Sequence, residues 1–509
     1  MGDDMTKFGR GASARAALLA GLALALAPQA ALARKDIGQT AATALTQAQR
    51  YMEAENCEGA LGQVSPIVAS KDFPALEEPV RFPFLLISTL CEARTNRIEP
   101  ALVHARAATA ITGAPEIAWT LRFGIELDGG KPEDAVATLE AMQQRLPEGI
   151  DGVDTEWLFA LSRKFQEDKD NPAYRRLLAL LTAPEFARGK EDMAFDWMRR
   201  SYARLLLSSG DRPAAAAQIA AILSADALRE ITLDPALRDM LPASFDLRAA
   251  YERQIAALES RSVTRPGLLE LPIAIAASRR TLGQAEKALA TLEAARPEGV
   301  LSKQFSDHDK QLNWWWDGMA RTYEQLGRYD EAAAAYRKAI EGGERGAGNF
   351  SQTINLAYLH SRFGHDDAAL ATLATVEGKT DSMASPYGVM ELRLARGCAA
   401  QALGKTDLAQ ADLAYAEAHA ADHPEAVTDL QICTGRIDAA AASMIARLDD
   451  PDRRINALTQ LSDYDPLPAN LPPSPFAAGL ETLKHRPDVQ AAIARAGGTR
   501  KFNIFPATL

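Results

Sequence analysis

The side chains of this 509-residue chain that could do chemistry are few, and their spacing argues against most of that chemistry. Gly404, Lys405 and Thr406 read as the end of a phosphate loop, in which backbone N–H groups cradle a polyphosphate and the lysine reaches its oxygens. Such a loop needs an earlier glycine at position 399. That residue is Ala399, and Gly397 comes too early. The surrounding pattern is also helix-turn-helix, so the nest of donors that follows a strand cannot form. GAGNF at 346–350 is half of a dinucleotide fingerprint and reads as a connection.

His308 in SDHDK and His365 in FGHDD sit beside carboxylates, the composition of a metal site or an acid–base pair. No HExxH and no GxSxG accompanies them, and His365 falls in a turn where polar residues are expected. Neither is assigned as a ligand, and no metal or cofactor is expected. The pairs Asp366/Asp367 and Asp449/Asp450 could serve a glycosidase only if they faced one cleft. They lie at turns or helix starts, where carboxylates cap free N–H groups.

Four cysteines occur, with Cys57 and Cys91 34 residues apart and Cys398 and Cys433 35 apart. No CxxC is present, so zinc is disfavoured. Of three possible connectivities, proximity in sequence selects two local disulfides, which need an oxidising compartment. The N-terminus supplies one. Lys7, Arg10 and Arg15 precede an apolar run from Ala16 to Ala27 that is too short to span a bilayer, and Ala31, Leu32 and Ala33 form a small-x-small cleavage pattern. Residues 1–33 read as a secretory signal, which makes the protein periplasmic or secreted. No later apolar segment could act as a transmembrane anchor. Cleavage removes three positive and two negative side chains, taking the net charge from −11 to −12. An acidic chain without a basic block is a poor partner for nucleic acid.

The elements that would position these residues are helical hairpins, and the strongest is WWWDGMARTYEQLGRYDEAAAAYRKA at 314–339. Trp316, Met319, Ala320, Tyr323, Ala332, Tyr336 and Ala339, with Gly327 in the turn, resemble the tetratricopeptide repeat pattern W-x2-L-G-x2-Y, A-x3-F, A. Glu344 stands where the family closes on proline. Further copies pair a turn glycine with a small residue: Gly130 with Ala135, Gly210 with Ala215, Gly283 with Ala288, Gly364 with Ala369, Gly404 with Ala409, Gly435 with Ala440. Ala60 and Ala101 mark weaker copies, and 154–182 is a degenerate one without a clear turn. Successive turns lie roughly 31 to 44 residues apart, so the units carry insertions.

The resemblance implies an all-α, superhelical solenoid of helix-turn-helix repeats. Its expected divisions are a signal at 1–33, an N-terminal array at 34–225, an irregular elbow at 226–265 around Pro235 and Pro242, a C-terminal array at 266–450, and a proline-rich wrap with a helical cap at 451–509. It also implies an exported scaffold without catalytic role that binds a protein or peptide on the concave face. Successive helical residues turn by about 100°, so three adjacent tryptophans cannot point one way. Trp316 falls on the core position against Tyr323. Trp314, Asp317, Arg321 and Glu324 fall on the ligand face, with Tyr358 from the next unit. The competing expectation is a periplasmic hydrolase of envelope material, its site in the insertion at 297–312 or in the elbow.

Overall fold

The computed structural model describes residues 35–506 apart from 148, 166–167, 169–170, 187–192, 343–348 and 380–383. The expected signal at 1–33 lies outside the described residues. Among the described residues the chain is all α, a solenoid of helix-turn-helix repeats, and its one sheet-like contact is a parallel bridge between Asp463 and Lys501. It forms two compact units, divided between Ala215 and Ala216.

Unit 1 begins with three hairpins. They are α1 (Lys35–Glu53) with α2 (Cys57–Val68), α3 (Glu78–Arg94) with α4 (Ile98–Ala110), and α5 (Glu116–Asp128) with α6 (Pro132–Arg145). The degenerate stretch supplies α7 (Thr155–Lys164) and α8 (Pro172–Thr182), and α8 packs on α6 and on α9 (Asp196–Ser208) rather than chiefly on α7. Trp119, Phe123, Met142, Leu161 and Phe165 fill the core there. Helix α10 (Arg212–Ala220) spans the division between the units.

Unit 2 opens with α11 (Ala225–Leu233) and α12 (Leu247–Thr264), separated by a short 3-10 turn at Arg238–Met240 between Pro235 and Pro242. Five hairpins follow. These are α13 (Glu270–Thr281) with α14 (Ala285–Ala295), α15 (His308–Gln325) with α16 (Tyr329–Glu341), α17 (Phe350–Arg362) with α18 (Asp366–Ala374), α19 (Pro386–Ala402) with α20 (Thr406–Ala418), and α21 (Pro424–Cys433) with α22 (Ile437–Asp449). Three short helices close the unit: α23 (Arg454–Leu461), α24 (Ala477–Lys484) and α25 (Pro487–Ala496).

One local device makes the hairpins. At Gly327 φ is +71°, the Gly327 N–H donates to Glu324 O and the Arg328 N–H to Tyr323 O, which ends α15 in a left-handed cap that a side chain would strain. The same positive φ and the same two bonds recur at Gly130, Gly210, Gly283, Gly364, Gly404 and Gly435. Glu55 and Asn96 adopt them in the two weaker copies, at φ of 56° and 61°. Five residues after each of these positions stands an alanine with 0% exposure: Ala60, Ala101, Ala135, Ala215, Ala288, Ala332, Ala369, Ala409 and Ala440. The turn aims that residue at the preceding helix, where only a methyl group fits.

The residues after α22 reach further than the last repeat. Helix α25 packs across α22. The proline-rich segment runs back to the strongest repeat, where Asn470 Nδ2 donates to Leu326 O at 2.6 Å beside the Gly327 turn. The final residues bond the start of the unit, through Phe505 N–H to Thr281 O at 2.9 Å and Arg238 Nη1 to Gly497 O at 2.8 Å. Because α11 also packs on α23, unit 2 closes upon itself.

Each unit has one cysteine pair at disulfide distance. Cys57 and Cys91 join α2 to α3 with Cα atoms 4.9 Å apart, and Cys398 and Cys433 join α19 to α21 at 5.3 Å. Each pair therefore fastens one hairpin to the next. In the chain-entropy description, closing loops of this length stabilises by up to about 4 kcal/mol each. Peptide mapping without reduction is expected to recover these two links, with crossed pairings or free thiols counting against them.

The alanine rule gives a second prediction. Ala332 is fully buried, whereas Ala334 on the same helix is exposed. Ala332→Leu is expected to lower stability by about 1 to 3 kcal/mol and Ala334→Leu by less than about 0.5 kcal/mol, as read from chemical denaturation.

Candidate functional site: the polar face of the tryptophan repeat

The three tryptophans of α15 separate as helical geometry requires, with a different assignment from the expected one. Trp315 is the core residue, 3% exposed, and its Nε1–H donates to Leu292 O of α14 at 3.0 Å. Trp316 is only partly buried, packing edge-on to Trp315 at 4.7 Å and joining the cluster that holds Tyr323. The correction has a packing cause: α14 lies against the Trp315 side of α15, where Leu292 O takes the indole N–H, and Trp316 is left only partly covered. Trp314 remains 38% exposed.

The other expected ligand residues do share a helix face with Trp314, yet most of them look inward. Asp317 is buried, accepting from Arg321 Nε at 2.7 Å and from Asn355 Nδ2 of α17 at 2.7 Å. Glu324 is also buried, 3.4 Å from Arg362 Nε of α17. Burial pushes the Glu324 carboxyl up, while Arg362 and Arg321 pull against that push. Asp317, Arg321 and Glu324 thus form one network between consecutive hairpins.

Tyr358 belongs to a second network. It is half-buried and donates its hydroxyl to Glu391 Oε2 of α19 at 2.8 Å, while Glu391 Oε1 lies 2.7 Å from Nε2 of His423, the residue that precedes α21. Burial disfavours the Glu391 carboxylate, but the bonds from His423, Tyr358 and Tyr387 outweigh it and hold the pKa below the ordinary value. Farther along α21, Asp429 accepts from Gln460 Nε2 at 2.8 Å, and burial pushes its carboxyl up to about 6.

Sequence reasoning did not select Arg280, Gln325, Asn355, Arg362, Glu391 or His423. A signal existed for one of them. Arg280 and Glu324 each stand three residues before the turn glycine of consecutive hairpins, so the register that aligned the alanines also aligned these charges. The insertion at 297–312 puts His308 beside Asp309 Oδ1 at 3.0 Å and Pro297 O at 3.1 Å. Among the described residues no group of three or more His, Cys, Asp or Glu side chains could hold a metal ion, and no helix is long and apolar enough to cross a membrane.

The tetratricopeptide repeat family model matches residues 316–341, the second half of α15 and all of α16. That segment is similar to a tetratricopeptide repeat. Its left-handed turn glycine and buried alanine are repeated in the hairpins on either side. No match is found among the curated proteins. Similar solved structures include yeast Tom70, at 10% identity and a TM-score of 0.34, covering 83% of this chain and 94% of that one. A second is the APC/C hetero-tetramer Cut9-Hcn1, at 14% identity and 0.27, covering 89% of each chain. A third is Naa15/Naa10 bound to HypK-THB, at 12% identity and 0.21, covering 83% and 70%.

The Asp429 environment has a signed consequence for stability. A carboxyl whose folded pKa is raised binds its proton more tightly folded than unfolded, so its contribution favours the folded state at low pH and is lost as pH rises through about 6. Asp429→Asn is expected to stabilise the protein at pH 7.5 relative to its effect at pH 4, by on the order of 2 kcal/mol in denaturant titrations. An equal effect at both pH values would contradict this.

Proposed function

We propose that this protein is an exported interaction scaffold that binds a protein or peptide partner on the α15 face, with Trp314 as the exposed anchor. Asp317, Arg321 and Glu324 form the charged floor behind it, and Tyr358 is the counterpart from the next hairpin. The observation that carries the reading is the exposure of Trp314, 38%, next to Trp315, which is 3% exposed, and the partly buried Trp316. A large aromatic side chain held on a rigid helix loses little conformational entropy on binding and can bury much apolar area. The tetratricopeptide repeat match supports a role in binding proteins, and the reading assigns no catalytic step. Paired cysteines and the signal-like N-terminus support a periplasmic or secreted location.

Two substitutions on adjacent residues test the proposal. Trp314→Ala is expected to leave the melting temperature nearly unchanged and to weaken crosslinked capture of a partner from envelope extract by about tenfold or more. Trp315→Ala is expected to cost about 3 to 5 kcal/mol of stability. If Trp314→Ala melts the protein as severely as Trp315→Ala, the exposed ring is core and the assignment fails.

A further inference from the structure

Helix α25 ends at two consecutive glycines, Gly497 and Gly498, with φ of 113° and 87°. Only glycine adopts this conformation freely, and a Cβ on Gly497 would strike the Pro235 ring. Around Gly498 there is open space among the described residues. Two such residues in succession make a hinge, at which the chain beyond them can change direction without moving α25.

The residues after the hinge carry no helix. Their side chains alternate instead, with Phe502 and Ile504 buried and Lys501 and Asn503 exposed. That alternation belongs to an extended segment laid on a surface by one face.

Unit 2 holds the segment from both sides by its backbone. On one side the Asp463 N–H donates to Arg500 O at 2.8 Å, the Phe502 N–H to Asp463 O at 2.9 Å, and the Asp465 N–H to Ile504 O at 2.9 Å. On the other the Phe505 N–H donates to Thr281 O at 2.9 Å, and Arg248 Nη1 donates to Asn503 O at 3.3 Å. The Phe502 ring lies against Tyr464 with centroids 5.5 Å apart. The Phe505 ring sits over the Gly283 turn, where a Cβ would lie 2.9 Å from it. Among the described residues the same position is open at Gly364, Gly404 and Gly435, so the Gly283 turn is one that the tail has covered. Main-chain hydrogen bonds together with places for alternate side chains are the means by which proteins hold an extended peptide. The segment reaches Pro506 on the border of the pocket lined by Tyr251, Gln254, Ser278 and Arg280.

We propose that residues 499–506 are a releasable strap: a self-bound peptide, hinged at Gly497 and Gly498, that closes unit 2 by lying in a peptide-recognition groove between residues 463–465 and the edge of α12 and α13. While it is bound, the strap keeps other extended segments out of the groove. Its release frees the backbone of 463–465 and uncovers the Pro506 side of the pocket. The strap is separate from the face headed by Trp314 and stands whether or not that face binds a partner.

Two measurements test this. The first is hydrogen exchange on the unsubstituted chain. The amides of Asp463, Asp465, Phe502 and Phe505 are expected to exchange together and at least about tenfold faster than those inside α13, because they open with the strap rather than with the whole unit. The second uses a fluorescein-labelled peptide of sequence TRKFNIFP, residues 499–506, followed by anisotropy. A tethered strap acts at an effective concentration of about millimolar, so the parent chain is expected to bind the peptide poorly. The double variant Phe502→Ser with Ile504→Ser, whose own strap has lost its anchors, is expected to bind it saturably and at least about tenfold tighter than the parent. A control peptide, TRKSNSFP, is expected not to bind either chain. The proposal is overturned if the four amides exchange no faster than those of α13, if the control peptide binds as well as TRKFNIFP, or if the folded double variant binds the peptide no better than the parent. If the double variant does not fold, the exchange measurement on the unsubstituted chain decides.

Discussion

The close crossing of two helices at one alanine is the constraint on which the rest of this structure depends. The left-handed turn residue fixes the direction in which the second helix leaves, and five residues later that helix meets the first with no room for more than a methyl group. Where the methyl group sits, large neighbours such as Trp315 and Tyr336 can be fully packed. Glycine suits the turn because it has no Cβ to strain, yet Asn96 and Glu55 occupy it in two hairpins, at a steric cost that their unit tolerates. A hairpin built this way leaves one apolar face uncovered, and only the next hairpin can cover it. Repetition is therefore a consequence of packing.

Stacking the hairpins also dictates what happens to polar groups on the first helix of each pair. Asp317 must find Asn355, Glu324 must find Arg362, and Tyr358 must find Glu391, because each is removed from water by the neighbour it touches. Buried ion pairs of this kind add little net stability, since desolvation offsets their attraction. Their bonds are directional, so they are made at only one offset between adjacent helices. The apolar core sets that the hairpins stack, and the polar ladder fits only one register.

Unit 2 adds closure to this repetition. The segment after α23 passes the turn at Leu326 and Gly327, and the last described residues bond the carbonyl of Thr281. An open array would expose the inner surfaces of α12, α13 and α15 to bulk water, where Arg280 and Gln325 would be solvated in the ordinary way. With the tail in place, the same two side chains line one small pocket that Pro506 also borders.

The hairpins, their turns and the small residue of each crossing were legible in the sequence, because glycine at a left-handed cap and alanine at a crossing are local requirements that one residue type satisfies best. The two cysteine pairs were chosen on proximity in sequence, and both stand at disulfide distance. The degenerate stretch at 154–182 was not, since α8 takes its partners from α6 and α9 and no local rule encodes that choice. Trp315 rather than Trp316 became the core residue because the position of α14 decided which side of α15 was covered, and a repeat pattern cannot report the small rotation involved. The charged residues on the face of Trp314 could be grouped by helical spacing. Whether they met water or Asn355 and Arg362 depended on the approach of α17. The closure of unit 2 was invisible for the strongest reason. It joins residues more than 200 positions apart through single hydrogen bonds, such as that from the Arg238 guanidinium to the Gly497 carbonyl, separated by 259. Tertiary structure alone brings Arg280, Gln325 and Pro506 to one cavity.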